Sequence, residues 1–278
     1  MEAKHILIPL EPGSGGETLI RSGIKLASAL KAKLTFLYVM TASGYAGYTG
    51  SMAVASMVSL KEQKENIETH YIEILKKFKD YIPASMAIER SITEGPWVPS
   101  IIDYLNKHQA DILLLKHVEQ GFIEKVLGDS NTEILNSAEI PVWIIPGEGI
   151  SEMPKNIAYI TDHRASDIEA IRQIHSLCKS FKASFHLVHV HEPDEFEARI
   201  KKEGFKVVVE KELKECEPEH FDIIREKMTT ELNDMIREKK IDLLCMMNES
   251  ENFLNRFFTR SSVEKLIDSV DIPLAIYS

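Results

Sequence analysis

Short apolar runs alternate with segments of helical periodicity along the whole chain. In the first half, the runs predict five strands, near residues 4–10, 34–40, 86–92, 111–116 and 141–145. Between these runs, apolar residues recur every three or four positions, as they do in a helix with one buried face. Strands that alternate with helices are typical of βαβ units, whose strands are parallel. The pattern therefore predicts an α/β protein.

The second half of the chain repeats the first. Residues 32–39 (AKLTFLYV) match 183–190 (ASFHLVHV) at a spacing of about 150 residues, whereas 140–145 matches 272–277 at about 130. The first copy therefore carries about twenty extra residues. We place them in the small-residue stretch 41–59, which predicts a surface loop with a helix starting near its end. A lid over a binding site is the alternative interpretation.

One segment of the second copy carries two conflicting signals. Residues 206–210 (KVVVE) are rich in valine, which favours a strand. The repeat instead predicts a helix there and places the third strand of the second copy at 220–224. We follow the repeat, because tertiary context overrides the propensity of a few residues.

The boundary between the copies is predicted within 147–154, where glycine, proline and polar residues cluster after an apolar strand. This gives two domains, 1–148 and 153–278. A connection of about eight residues spans at most roughly 28 Å, so the two domains are expected to remain in contact.

Charge and composition limit the partners and the compartment. The chain has 33 basic and 43 acidic residues, a net charge of −10 and a pI near 5.5, which disfavours nucleic acid and anionic membranes. No apolar run has the roughly 18 to 20 residues of a membrane helix, and the first residues lack a signal-peptide core. Three cysteines without CxxC spacing suit a reducing environment. We therefore expect a cytoplasmic protein.

The ordered set of strands, with Ala110-Asp111 and Ile241-Asp242 before each fourth strand and Ile-Pro at each fifth, resembles the universal stress protein domain, in two tandem copies. The resemblance implies two flavodoxin-like or Rossmann-like domains, each with a five-stranded parallel sheet of order 3-2-1-4-5 and flanking helices. It also implies dimers that pair through antiparallel fifth strands. Because such strands would be exposed apolar edges, we expect the two copies to pair within one chain; whether two chains assemble further stays open.

The resemblance implies a nucleotide site at the carboxyl ends of the first and fourth strands. In nucleotide-binding members of the family, this site has an acidic residue after the first strand and the pattern Gly-x2-Gly-x9-Gly-Ser. The first copy aligns Leu115, Val118, Gly128 and Asp129 with these positions, so that one of four matches. The second copy aligns Met247, Ser250, Arg260 and Ser261, and again one matches.

The candidate crevice residues are those that the resemblance places at these strand ends and loops. They are Glu11, Val39, Lys116, His117, Gly128 and Ser130 in the first copy, and Asp162, Val190, Arg260 and Ser261 in the second. Lost glycines and added carboxylates oppose a polyphosphate. The main hypothesis is a non-enzymatic stress-response protein with no certain cofactor and degenerate nucleotide loops. The alternative is ATP or AMP binding with weak or no hydrolysis.

The sequence contains signals for two other kinds of site. Residues 14–18 (SGGET) are similar to the pyrophosphate loop of ATP pyrophosphatases, but the aspartate is absent, and we interpret Gly13 to Gly16 as a turn that caps a helix. His186, His189 and His191, with His163 nearby, raise a zinc site as an alternative. Strand alternation explains the same histidines without a metal, so neither metal ligands nor catalytic residues are assigned.

Overall fold

The computed structural model of the protein describes residues 3–12, 16–40, 51–116, 129–161, 163–191, 196–213, 218–224, 227–248 and 272–278. In the first half, the helices and strands are, in chain order, β1 (His5–Leu10), α1 (Glu17–Leu30), β2 (Lys33–Met40), α2 (Ser51–Lys77), β3 (Ile88–Glu94), α3 (Trp97–Lys107), β4 (Ile112–Lys116), α4 (Asp129–Ser137) and β5 (Val142–Ile145). A single 3-10 turn, Lys79–Tyr81, follows α2.

The second half continues with β6 (Asn156–Thr161), α5 (Asp167–Phe181), β7 (Ser184–His191), α6 (Phe196–Glu212), β8 (Glu219–Ile224), α7 (Met228–Glu238), β9 (Leu243–Met247) and β10 (Leu274–Tyr277). The valine-rich segment 206–210 is helical, as the repeat predicts, and the third strand of this half is β8. Residues 51–59 of the predicted surface loop are the first turns of α2, while 41–50 lie outside the described residues. Of the turn predicted at 13–16, residues 13–15 lie outside the described residues, and Gly16 directly precedes α1.

All ten described strands form one sheet, in the order β3-β2-β1-β4-β5-β10-β9-β6-β7-β8. Within each half the neighbouring strands are parallel. The α/β fold class is thereby confirmed. The sheet changes direction once, where β10 runs antiparallel to β5 and Leu274, Ala275 and Ile276 face Ile144, Trp143 and Val142.

Helices cover both faces of the sheet. Successive residues of a strand point to opposite faces and therefore contribute to two different cores. Ile6 and Ile8 of β1 face one core, which also includes residues of α1, α2, α5 and α6. Leu7 faces the other core, which includes residues of α3, α4 and α7. Both cores contain residues from both halves. Trp143 is fully buried opposite the small side chain of Ala275, in the row where the halves meet.

The aspartate that precedes each fourth strand ties that strand to the first strand of its half. The carboxylate of Asp111 accepts hydrogen bonds from the backbone N–H groups of Lys4 (2.7 Å) and His5 (2.9 Å). Asp242 does the same for Lys155 (2.8 Å) and Asn156 (2.9 Å). A charged acceptor satisfies donors that have no strand partner at that point, which gives the Ala-Asp and Ile-Asp signature its physical role.

Within the described residues, none of the helices combines the length and the apolar character that crossing a membrane requires.

The shared cores predict that the two halves unfold together. Both tryptophans lie in the first half, whereas the described buried thiols, Cys178 and Cys245, lie in the second. In a Cys216→Ser chain titrated with urea, tryptophan fluorescence and labelling of these two thiols should therefore report one transition at the same midpoint. Labelling of the thiols at a urea concentration where the fluorescence is still native would contradict the coupling.

Two matched substitutions test how much the pairing of β5 with β10, which we call the joint, contributes to stability. Ile144→Ala removes a buried side chain there and should lower the free energy of unfolding by about 3 kcal/mol, as judged by both probes. Ile72→Ala removes the same atoms from a position on α2 that is 41% exposed and should cost less than about 1 kcal/mol. An equal effect of the two substitutions would show that the joint does not carry the stability of the second half.

Candidate functional site

The carboxyl ends of three neighbouring strands define the candidate crevice of the first half. Since β1 is parallel to both β2 and β4, the positions that follow these strands meet at one edge of the sheet. This brings Glu11, Val39 and Lys116 to that edge. Glu11 and Lys116 are exposed, so a carboxylate and an ammonium group are both present at that edge. The side chain of Val39 is fully buried, so that only its backbone could meet a ligand.

Several predicted crevice residues lie outside the described residues, namely His117, Gly128, Asp162, Arg260 and Ser261. Ser130 lies in the first turn of α4, which begins at Asp129. Val190 occupies the same place in β7 as Val39 in β2, and its side chain is also buried. The described part of the second crevice therefore includes the ends of β6, β7 and β9.

Aromatic rings cluster at the ends of β6 and β7 in the second half. The imidazole of His163, two residues after β6, stacks on that of His189 in β7, with centroids 3.7 Å apart and planes 20° from parallel. Phe205 of α6 lies against His163 at 4.6 Å, and His191 lies 5.4 Å from His189. His163 and His189 are both buried. These rings lie at the edge that also carries Val190, one of the residues of this half that the resemblance places at the strand ends.

A buried carboxylate shapes the turn that carries His163. Asp167, the first residue of α5, accepts hydrogen bonds from the hydroxyls of Tyr159 (2.6 Å) and Thr161 (2.5 Å) and from the backbone N–H of Arg164 (2.9 Å). The hydroxyl oxygen of Thr161 accepts the N–H of His163 at 2.8 Å. These contacts hold His163 at a φ of 61°, in the left-handed region that non-glycine residues seldom adopt.

Burial keeps both stacked imidazoles neutral. Burial, reinforced by the neighbouring His189, lowers the pKa of His163 to about 3. Burial likewise lowers the pKa of His189 to about 4, against the opposing effect of Asp222, whose Oδ1 lies 3.4 Å from Nδ1 of His189. Asp222 is in turn paired with Lys202 of α6. At neutral pH the rings therefore present an uncharged, largely apolar surface.

Strand alternation separates His186 from the other histidines. His186 lies near the start of β7, on the opposite face of the sheet from His189, and its Nδ1 is 3.2 Å from Glu219. In the part of the chain that the structure describes, no three His, Cys, Asp or Glu side chains are grouped so as to hold a metal ion. The alternative of a zinc site thus has no supporting geometry in the described part of β7.

A separate cleft opens at the other edge of the sheet, where the strands begin. It has a volume of about 590 Å³ and lies between the halves, lined by Lys4, Lys31 and Lys33 from the first and by Ser176 and Ser180 from the second. The carboxyl ends of α1 and α5, which carry partial negative charge, border the same cleft. Because the lysines compensate these helix ends, the cleft provides no separate argument for a ligand.

Sequence reasoning grouped His189 and His191 with His163, and the structure brings these three rings together. It did not identify Asp167, Phe205, Asp222 or Lys202, which position and pair with them. Asp167 carried a usable signal, since an acidic residue in the first turn of a helix favours its amino end. Phe205 and Lys202 had none, because the packing of α6 against β7 depends on the tertiary fold.

Comparison with models of known families identifies the same family for both halves of the chain. The model of the Universal stress protein family matches the chain twice, over residues 2–146 and 153–278. No curated protein matches the sequence.

Solved structures share the fold over the full length. A universal stress protein from Archaeoglobus fulgidus DSM 4304 is similar, with a TM-score of 0.70 and 14% identity, over 99% of this chain and 96% of that one. A functionally unknown protein from Pseudomonas aeruginosa PAO1 is similar with a TM-score of 0.56 and 12% identity, over 99% of this chain and 92% of that one. At these identities the likeness is one of fold.

The buried His163 predicts an acid-sensitive second half. Its pKa lies below the unfolded value of about 6.5, so the unfolded chain takes up a proton first and stability is lost as the pH falls below 6.5. His163→Asn removes this titration and tolerates positive φ. Between pH 7 and pH 5, wild type should lose about 2 kcal/mol more than the variant, measured by urea unfolding. Parallel stability curves for the two proteins would show that His163 is not the group responsible.

Proposed function

Because the chain belongs to the universal stress protein family, we propose that it is a non-enzymatic stress-response protein of the cytoplasm. In this proposal, domains 1–148 and 153–278 act as one intramolecular pseudo-dimer. Their two crevices differ from each other, and neither holds a nucleotide through the family's glycine-rich loop.

The observation that carries the proposal is the antiparallel pairing of β5 with β10. A two-fold arrangement of two similar domains requires antiparallel equivalent strands at the joint, and β5 and β10 are the last strands of the two repeats. Each of these strands would otherwise be an exposed apolar edge of its own half of the sheet. The pairing therefore supports a unit in which the second domain takes the place of a partner subunit.

Contacts of the connecting segment with α1 also support a fixed pseudo-dimer. The guanidinium of Arg21 donates to the carbonyl of Glu148 at 3.0 Å, and the N–H of Ile150 donates to the hydroxyl of Ser22 at 2.9 Å. Gly149 has a φ of 79°, and a Cβ there would come within 2.6 Å of Thr18. A glycine is therefore needed where the segment lies against the helix. Such anchoring disfavours a hinge between the domains.

The chemistry of the crevices supports a ligand other than ATP. In the first domain the sequence has Val118 and Asp129 where the resemblance requires a glycine and a serine, and exposed Glu11 adds negative charge at the same edge. In the second domain the stacked rings of His163 and His189 lie in van der Waals contact, so no base can enter between them. Neutral rings also provide no charge for a phosphate.

One observation favours the alternative, a first domain that binds ATP or AMP. Lys116 is exposed at the end of β4, and α4 begins close by in sequence, at Asp129. An ammonium group and the unpaired N–H groups of a helix start are the features that bind phosphate. Under this alternative the first crevice alone would be active.

Calorimetric titration of the full chain with ATP and Mg²⁺, and separately with AMP, distinguishes the two functions. The proposal predicts no binding with a Kd below roughly 100 µM and no phosphate release above that of a buffer blank. A Kd below roughly 100 µM would contradict it. If Lys116→Ala then abolished this binding while Lys107→Ala, a charge change on an exposed residue of α3, did not, the site would lie in the first crevice.

A further inference from the structure

Helix α6 carries an apolar stripe on the face that points away from the core. Its inner face is formed by Phe205 and Val209, which are buried. Its outer face carries Phe196 (75% exposed), Ile200 (58%), Val207 (50%) and Val208 (42%), all within about two turns on either side of Gly204. We call these four residues, together with Gly204, the outer stripe.

The outer stripe is more than a few scattered surface residues. Helical geometry places residues 200, 204, 207 and 208 on one side, nearly opposite the buried pair. Single exposed apolar residues are common, but a contiguous apolar patch, here on the order of 400 Å², is often functional. The equivalent helix of the first half, α2, has only Ile72 as an exposed large apolar residue among its described side chains. The stripe is thus a feature of the second half.

Packing within the chain does not explain a glycine at position 204. A Cβ built at this position meets no atom within 4 Å, so the core does not require a glycine there. In the middle of a helix, glycine is less favourable than alanine. A glycine on an outer face does allow another backbone to approach closely.

We propose that the outer stripe is an interface at which α6 packs antiparallel against α6 of a second copy of this chain, with the two Gly204 residues at the crossing point. Ile200 and Val208 lie four residues before and after Gly204. A two-fold axis through the glycines therefore places each Ile200 against Val208 of the other copy, which makes the surface complementary to itself.

Charge also favours a second copy over a membrane. The chain has a net charge of −10, but α6 has five basic and four acidic residues, a net charge of +1. Self-repulsion between two copies is therefore weak at this face. Anionic bilayers are recognised by clusters of four to eight basic residues. The five basic residues of α6 are interspersed with four acidic ones, which weakens the attraction to such a surface.

We expect a weak association that stops at the dimer. Two outer stripes would together bury on the order of 800 Å², less than the roughly 1,600 Å² of a standard interface, so we expect a Kd of roughly 10 to 100 µM. Because each chain has one such stripe, association should stop at two copies. The contact lies on α6, away from the β5 and β10 joint, and the proposal does not depend on which ligand the crevices take.

Sedimentation equilibrium of the full chain, from about 1 µM to 500 µM, measures this association. Wild type should follow a monomer–dimer equilibrium, and Ile200→Ser with Val208→Ser should weaken it at least tenfold. Ile72→Ser, an equivalent loss of an exposed isoleucine on α2, should leave it unchanged. Monomeric wild type over the whole range would overturn the proposal, and so would stripe-dependent binding to anionic vesicles without self-association.

Gly204→Leu distinguishes the proposed close crossing of two helices from non-specific hydrophobic association. It adds an apolar side chain to an exposed position, so non-specific association would become stronger. At a close helix crossing the same side chain holds the backbones apart, so the dimer should weaken at least tenfold while far-ultraviolet circular dichroism shows the fold retained. Stronger association of this variant would overturn the proposal.

A cysteine at the crossing point gives a second, independent measurement. In a Cys216→Ser chain, Gly204→Cys should form an intermolecular disulfide within minutes of mild oxidation, because the two positions meet on the symmetry axis. Glu210→Cys, an exposed site on the side of the same helix, should form it at least tenfold more slowly. Equal rates for the two variants would overturn the geometry.

Discussion

The antiparallel pairing of β5 with β10 is the contact on which the rest of the molecule depends. Each of these strands has only four residues and would otherwise be an exposed edge with unpaired backbone groups and two apolar faces. Once paired, Trp143 and Tyr277 face one core, while Val142 and Ile276 face the other. Both cores therefore continue from one half into the other, and the halves share their hydrophobic stabilisation.

On this common frame, the two halves use the same local contacts and differ at their functional edges. Asp111 and Asp242 tie equivalent strands in the same way, and α1 and α5 both end in a lysine with left-handed backbone. The carboxyl edges are different, since one has exposed charges and the other has buried neutral rings. Residues beyond the strand ends contribute little to sheet packing, which leaves them free to differ in chemistry. The outer stripe of α6 continues this asymmetry.

The candidate site was predictable only in part, for a physical reason. Strand pairing in a parallel sheet brings the ends of neighbouring strands together, so the edge that carries Glu11, Val39 and Lys116 followed from the order of the elements. The same logic placed His163 near His189. The closeness of the ring stack, the network of Asp167 and the contact with Phe205 depend on side-chain packing between elements far apart in sequence. No local pattern encodes such contacts.

The sequence by itself determined the α/β class, the duplication and the positions of the strands, because hydrophobic periodicity and repeated signatures are local properties that survive without tertiary contacts. It also resolved residues 206–210 in favour of a helix, through the repeat. Only the tertiary structure decided that both cores continue from one half into the other, that His163 adopts positive φ over a buried carboxylate, and that α6 has apolar residues on both faces. Each of these depends on which surfaces are covered, and burial is a property of the assembled fold.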